Sequence, residues 1–234
     1  MSPLMRSLAA KPDIAVLRSM PLLSGLSVEH LQWLAPSLER ASYPRDAMIV
    51  GEGEAGDAMF LVVSGRVKVA VFHESGREVI LSVVGPKDFF GEMSLFDRKP
   101  RSASVQALEP CELVRLRRDA FLQALAHNHD MALALISALV ARLRDADRKI
   151  EDLSLIDVSG RVARLLLDEC QEVDGEYVVR PSITRAEIAR MVGASREMVS
   201  RVMTAFEKRG RIRTSGRRIY VLDAELLRAR RSIG

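Results

Sequence analysis

Between Ala47 and Arg118 the chain is broken into short runs rich in β-branched and apolar residues, with glycines between or beside them. The runs cover 47–50, 58–63, 66–72, 78–84 and 112–117, and Gly51, Gly53, Gly56, Gly65, Gly76 and Gly85 punctuate them. Short strands at regular intervals with turn signals read as a sandwich or barrel. Ahead of them, Ser27 is placed to cap a helix through Trp33 and Leu34. From about Asp119 the apolar period becomes helical and stays so to about Ile156. Asp157-Val-Ser159-Gly160 then reads as a joint, with Asp157 or Ser159 able to cap a helix reaching Glu172. A hairpin around Asp174-Gly175, two helices with a tight break, a two-strand unit and a short arginine-rich tail helix complete the order. The predicted class is α+β, divided at 1–118, 119–156 and 157–234.

Charge separates the same parts. Up to Asp157 there are 19 basic and 21 acidic residues, and from Val158 onward 16 and 10. Most of the excess follows Val179, where 14 basic residues face 5 acidic ones. A near-neutral front and a basic back point to two tasks, the second involving a polyanion.

Other classes fall away. No apolar run approaches the roughly 20 residues of a membrane span. Lys11, Asp13 and Arg18 interrupt the stretch where a signal peptide needs an apolar core, so the expected location is the cytoplasm. Cys111 and Cys170 form neither a metal cluster nor a disulfide framework, and His73, His127 and His129 lack a ligand arrangement. No metal is expected.

Within the long helical run Ile136, Leu143 and Ile150 are seven apart, as are Leu139, Ala146 and Leu153. The stripe is narrow and flanked by Arg142, Arg144, Asp145, Arg148, Lys149 and Glu151. A helix lying on its own β domain is one reading; the bracketing charges favour a homodimer seam.

In the basic end, Thr184 and Glu187 are spaced as a capping box, and Ile188, Ala189 and Val192 face inward. Gly193 gives the backbone freedom for a short turn, and Ser195 caps a second helix buried through Val199, Val202 and Phe206. Arg196, Glu197, Ser200 and Arg201 fall on its outer face near the N-terminus, the part of a recognition helix that reaches base edges. Arginine forks onto guanine O6 and N7, while glutamate accepts from cytosine N4. The stretch 211–221 alternates apolar and basic residues about a Ser-Gly turn and reads as a wing, with Arg217 and Arg218 for phosphate. The alternative is a solvated basic helix pair without a partner; caps, turn glycine and outward charges together favour the binding reading.

The near-neutral part holds one further constellation. Phe90-Gly91-Glu92-Met93-Ser94-Leu95 runs on to Pro100-Arg101-Ser102-Ala103. One carboxylate, one arginine, one hydroxyl and a glycine that lets a ligand meet the backbone suit a phosphodiester with a sugar hydroxyl beside it. As an enzyme site the segment is poor, having no histidine, second acid or activated nucleophile. A Glu–Arg pair bracing a loop is the plain alternative.

Both segments resemble one family. Ile183-Thr-Arg-Ala-Glu-Ile-Ala followed by Ser195-Arg-Glu-Met-Val-Ser-Arg201 and a wing is similar to the winged helix of the cyclic-AMP receptor protein / fumarate–nitrate regulator (CRP/FNR) family. Phe-Gly-Glu-x-Ser-Leu followed by Pro-Arg-Ser-Ala resembles the phosphate-binding cassette of its cyclic-nucleotide-binding domains. The resemblance implies an N-terminal jelly-roll-like β-roll, a long dimerisation helix and a C-terminal winged helix-turn-helix. It places the ligand among Gly91, Glu92, Met93, Ser94, Arg101, Ser102 and Ala103, with Glu92 on the ribose hydroxyl and Arg101 and Ser102 on the phosphate. Thr184, Ser195, Arg196, Glu197, Ser200, Arg201, Arg217 and Arg218 make up its DNA-binding set. The implied partners are a second copy, double-stranded DNA with TGTGA-like half-sites, and RNA polymerase.

One departure stands out. Where the family's long helix supplies a Thr-Ser pair that touches adenine, this chain has Ala146 and Asp147. Aspartate is an acceptor only, suited to guanine N1–H and N2–H₂ better than to adenine, and Arg144 and Arg148 beside it could stack on a purine or meet a second phosphate. An exposed helix charge paired with Arg144 or an i+4 neighbour is the plain alternative. Cyclic AMP remains the favoured effector because the cassette is intact; cyclic GMP or cyclic di-GMP is the second reading, and a vestigial pocket a third. An enzyme acting on cyclic nucleotides is the rival from another class, opposed by the missing base and metal ligands.

Overall fold

A computed structural model describes residues 6–7, 13–75, 77–179, 183–216 and 218–223. The chain divides into two compact units, Met1–Ala141 and Arg142–Gly234. Among the described residues no single helix is long and apolar enough to cross a membrane.

The first unit opens with β1 (Arg6–Ser7), α1 (Ile14–Arg18) and α2 (Val28–Leu34). Asp13 caps α1 by accepting from the Ala15 amide, and Ser27 caps α2 by accepting from that of His30. The strands follow: β2 (Leu38–Tyr43), β3 (Met48–Val50), β4 (Ala58–Ser64), β5 (Val67–Phe72), β6 (Glu78–Val84) and β7 (Phe89–Phe90). After the short helix α3 (Met93–Asp97) come β8 (Ser104–Ala107) and β9 (Cys111–Arg117). They form two antiparallel sheets, ordered β1-β2-β9-β4-β7 and β3-β8-β5-β6.

Side-chain alternation builds two cores from these sheets. Phe60, Val62, Phe90 and Leu113 of the five-stranded sheet meet Val50, Val67, Val84 and Val105 of the four-stranded one. The other face of the first sheet, through Met59, Leu61, Val114 and Leu116, packs on Leu17, Leu31, Leu34, Phe121 and Met131 from the helices. Strand β4 contributes to both cores, which is why it is apolar from Ala58 through Val63.

The helical run expected over 119–156 is divided. It forms α4 (Arg118–His127) and α5 (His129–Leu155), because Asn128 takes extended dihedrals and its side chain accepts from the Met131 amide at 2.8 Å. A competent cap in mid-run ends one helix and starts the next.

In the second unit α6 (Val158–Asp168) is capped by Asp157, whose carboxylate accepts from the Gly160 amide at 2.7 Å. Strands β10 (Cys170–Val173) and β11 (Glu176–Val179) turn through Asp174 and Gly175, both at positive φ, as a two-residue hairpin requires. Helices α7 (Arg185–Val192) and α8 (Arg196–Lys208) follow, then β12 (Ile212–Ser215) and β13 (Arg218–Val221), completing a sheet ordered β10-β11-β13-β12. Val162, Leu166, Ile188, Val199, Met203, Phe206 and Val221 share its core. The expected tail helix and Arg217 lie outside the described residues.

Phe206 is 1% exposed at the centre of that core. Phe206→Ala is expected to cost about 3–5 kcal/mol, read as a lowered midpoint in urea unfolding followed by circular dichroism.

Candidate functional site

The chain carries two constellations, one in each unit. In the first, β7 delivers the backbone to Gly91, which has φ +82°, and a Cβ there would stand 2.6 Å from Nη1 of Arg101. Glu92 is 5% exposed and Arg101 6%. Arg101 donates from Nη1 to the Gly91 carbonyl at 2.6 Å and from Nη2 to the Ala58 carbonyl at 2.5 Å. Those bonds use two of the five guanidinium N–H groups, and the remainder can meet an anion. Burial pulls the Arg101 pKa down, against the opposing pull of Asp57, Glu92 and Glu54. The group stays cationic, since arginine is not deprotonated in proteins.

The loop before β4 holds the cassette from the other side. The Arg101 amide donates to the Glu54 carbonyl at 2.8 Å, the Gly53 amide donates to the Arg101 carbonyl at 2.9 Å, and a Cβ on Gly56 would fall 2.3 Å from that of Ser94. Ser94 and Ala103 are buried, whereas Met93 and Ser102 are exposed, and the Ser102 hydroxyl lies 3.9 Å from the Met93 sulfur. The fold therefore gathers Gly91, Glu92, Ser94, Arg101, Ser102 and Ala103 around one small surface. The bonds by which the 51–56 loop supports the cassette are between backbone groups, which Gly51, Gly53 and Gly56 signal only by their density.

Helix α5 carries the remaining expected ligand residues in its second-unit segment. Arg144 and Asp147 are both exposed, and Arg148 pairs with Asp145 instead of Asp147. Of the heptad positions, Ile136, Leu143, Ile150 and Leu153 are more than half exposed and Ala146 is exposed, with Ile150 at 64%. Leu139 instead packs against the helical core of its own unit.

In the second unit the capping box is formed. The Glu187 amide donates to Thr184 Oγ1 at 3.2 Å, and the Thr184 amide donates to Glu187 Oε2 at 2.7 Å. Gly193 closes α7 in the left-handed region, and Ser195 accepts from the Met198 amide to start α8. Arg196, Glu197, Met198 and Arg201 are exposed on α8 and Ser200 is half-buried, while Val199, Met203 and Phe206 are buried. In the wing Arg218 is exposed, whereas Arg213 pairs with Glu176 at 2.9 Å and stacks on Tyr220 with Cζ 4.1 Å from the ring centre. Among the described residues no group of His, Cys, Asp and Glu is arranged to hold a metal ion.

A model of the cyclic nucleotide-binding domain matches residues 40–128, and one of the Crp-like helix-turn-helix domain matches 160–230. The CRP-like cAMP-activated global transcriptional regulator of Mycobacterium tuberculosis is 35% identical, the match covering 89% of this chain and 95% of that protein. The cyclic AMP receptor protein of Thermus thermophilus is 36% identical, covering 90% and 96%. Among solved structures, the c-di-GMP responsive global regulator CLP of Xanthomonas campestris superposes with a TM-score of 0.72 at 25% identity, covering 84% of this chain and all of that one. These relatives are transcription regulators, not enzymes.

Gly91→Ala tests the cassette's geometry. A side chain at φ +82° brings left-handed strain of about 1–2 kcal/mol and displaces Arg101, so the expected outcome is a lower melting temperature.

Proposed function

The chain belongs to the CRP/FNR family of DNA-binding transcription regulators, and from that premise we propose that it acts as a homodimer whose pocket for a cyclic nucleotide controls the reading of a near-palindromic operator. The observation that carries the ligand half is the buried Arg101, held by the Gly91 and Ala58 carbonyls with N–H groups to spare. Among the described residues no carboxylate pairs directly with this guanidinium, although Asp57, Glu92 and Glu54 lie within electrostatic reach, and its spare N–H groups suit a ligand anion. Arg101 and Ser102 take the cyclic phosphate and Glu92 the ribose hydroxyl. Gly91, Met93, Ser94 and Ala103 complete the cradle.

Cyclic AMP is the favoured effector, as the Mycobacterium tuberculosis relative is cAMP-activated. The second reading, cyclic GMP or cyclic di-GMP, rests on residue type at Asp147. Asp147 is exposed, and its carboxylate is an acceptor of the kind that guanine N–H groups require, while Arg144 and Arg148 are of a type that stacks on a purine or meets a phosphate. The Xanthomonas campestris neighbour, described as c-di-GMP responsive, accords with that. If the pocket is vestigial, operator affinity is the same with and without every cyclic nucleotide.

Dimerisation uses the stripe of Ile136, Leu139, Leu143, Ala146, Ile150 and Leu153, with the exposed members facing a second copy. Each copy then offers one α8 to a major groove, with Arg196, Glu197, Ser200 and Arg201 toward the bases of a TGTGA-like half-site. Thr184 and Ser195 lie at the starts of their helices, where backbone amides favour phosphate. Arg217 and Arg218 supply phosphate contacts from the wing. Control requires only that the ligand bind the DNA-competent arrangement more tightly than the other. The working place is the cytoplasm, with RNA polymerase a further partner where an operator lies near a promoter.

Calorimetric titration with cyclic AMP, cyclic GMP and cyclic di-GMP tests the pocket. Arg101→Ala is expected to abolish the heat of binding, and Asp147→Ala to remove any preference for guanine. An unchanged preference in the second variant would sink the guanine reading.

In operator titrations Arg201→Ala is expected to weaken binding by about 1–3 kcal/mol and relax base preference. Arg217→Ala and Arg218→Ala should keep the preference while each flattens the log–log salt slope by about one. A loss at Arg201 that is uniform over all sequences would refute base reading there.

A further inference from the structure

Helix α8 leaves one large apolar side chain in solvent. Met198 is 39% exposed, while the other apolar residues of the helix, Val199, Val202, Met203, Ala205 and Phe206, are buried or half-buried. It lies in the first turn, where its amide donates to the capping Ser195, and it flanks Arg201 at the side of the exposed face. Nη2 of Arg201 lies 3.8 Å from its sulfur, so the thioether rests against the guanidinium that is assigned above to a base. Neighbours three apart share one side of a helix, so whatever Arg201 reaches, the Met198 methyl reaches close by.

The major groove offers one apolar feature, the 5-methyl group of thymine, and uncharged side chains read it by contact. Resting on the base-reading role of α8, we infer that Met198 is a specificity-determining residue that packs on the methyl of a thymine next to the base read by Arg201. A thioether with three rotatable bonds fills such a space without demanding a hydrogen bond, and its flank against Arg201 settles both side chains toward adjacent base pairs. Specificity at this thymine comes from apolar area, whereas at the neighbouring base it comes from paired hydrogen bonds.

Deoxyuridine tests this directly, because it removes the methyl and nothing else. The full-length protein is titrated by fluorescence anisotropy, with and without cyclic AMP, against a duplex carrying two TGTGA half-sites. Each thymine of the half-site, on either strand, is replaced in turn. For the unaltered protein one replacement is expected to weaken binding about threefold to fivefold, the value of one buried methyl-sized group. Met198→Ala should bind the thymine and deoxyuridine duplexes alike at that position, and Met198→Leu, which keeps apolar bulk without sulfur, should retain the difference. If Met198→Ala is as sensitive to the missing methyl as the unaltered protein, or if no replacement affects the unaltered protein, the inference is overturned while base reading by Arg201 stands. If the unaltered protein does not prefer the TGTGA duplex to a scrambled one, base reading itself fails and this inference with it.

Discussion

A strand covered on both faces has no side on which to place a polar residue, and β4 is such a strand for most of its length. Met59 and Leu61 face the helices, while Phe60 and Val62 face the second sheet. Its backbone is also put to use, since the Ala58 carbonyl is where Nη2 of Arg101 is fastened, and Val62 bonds through its amide and carbonyl to the backbone of Asp88 and Lys87. The strand that joins the two cores thereby also fixes the start of the β7–α3 segment and the guanidinium at its far end. Moving β4 would disturb the sandwich and the pocket together.

How much of this was legible depends on whether one kind of signal acted alone. Strand β6 matches its predicted limits because β-branched residues there coincide with glycine boundaries. The Asp174-Gly175 hairpin and the Thr184 capping box are local chemistry and formed as read. Strand β2 was missed because Leu-Glu-Arg-Ala-Ser-Tyr carries charges; these are satisfied only by strand partners far along the chain, Arg40 with Glu112 and Glu39 with Arg115. The break at Asn128 is hard to read for a related reason, since apolar residues resume in phase at Met131 and Leu135 after the polar stretch 127–130, and the interruption is fixed by the Asn128 dihedrals and side-chain cap. At the pocket the residue types were legible from the motif, but the two carbonyls that seat Arg101 are backbone groups that no motif records. Leu139 fits the heptad and yet packs at home, because spacing alone does not say which neighbour arrives first.

The arginines show the same limit. The basic excess after Asp157 counts them equally, whereas the fold divides them. Arg161 donates to the carbonyls of Val192 and Ile156, Arg164 pairs with Asp152, and Arg213 is held between Glu176 and Tyr220. Arg161 and Arg164 are half-buried fastenings within the winged unit, while Arg213 is exposed but already engaged. Arg196, Arg201 and Arg218 are exposed, and the proposed contacts to DNA are assigned to them. Net charge therefore points to the sign of a partner, while the hydrogen bonds show which arginines already have partners within the chain.

The doubly engaged hydroxyl of Thr184 bears on how mutational scans of this surface are to be interpreted. Its oxygen accepts from the Glu187 amide while its proton goes to the Glu187 carboxylate at 2.7 Å. Removing it would fray the first turn of α7 before it removed any phosphate contact, and the loss would propagate to α8 through the core they share. A drop in affinity at this position is thus ambiguous by itself. Amide hydrogen exchange in α7 separates the two origins, since fraying speeds exchange at 185–188 in the protein without DNA, and a lost contact does not.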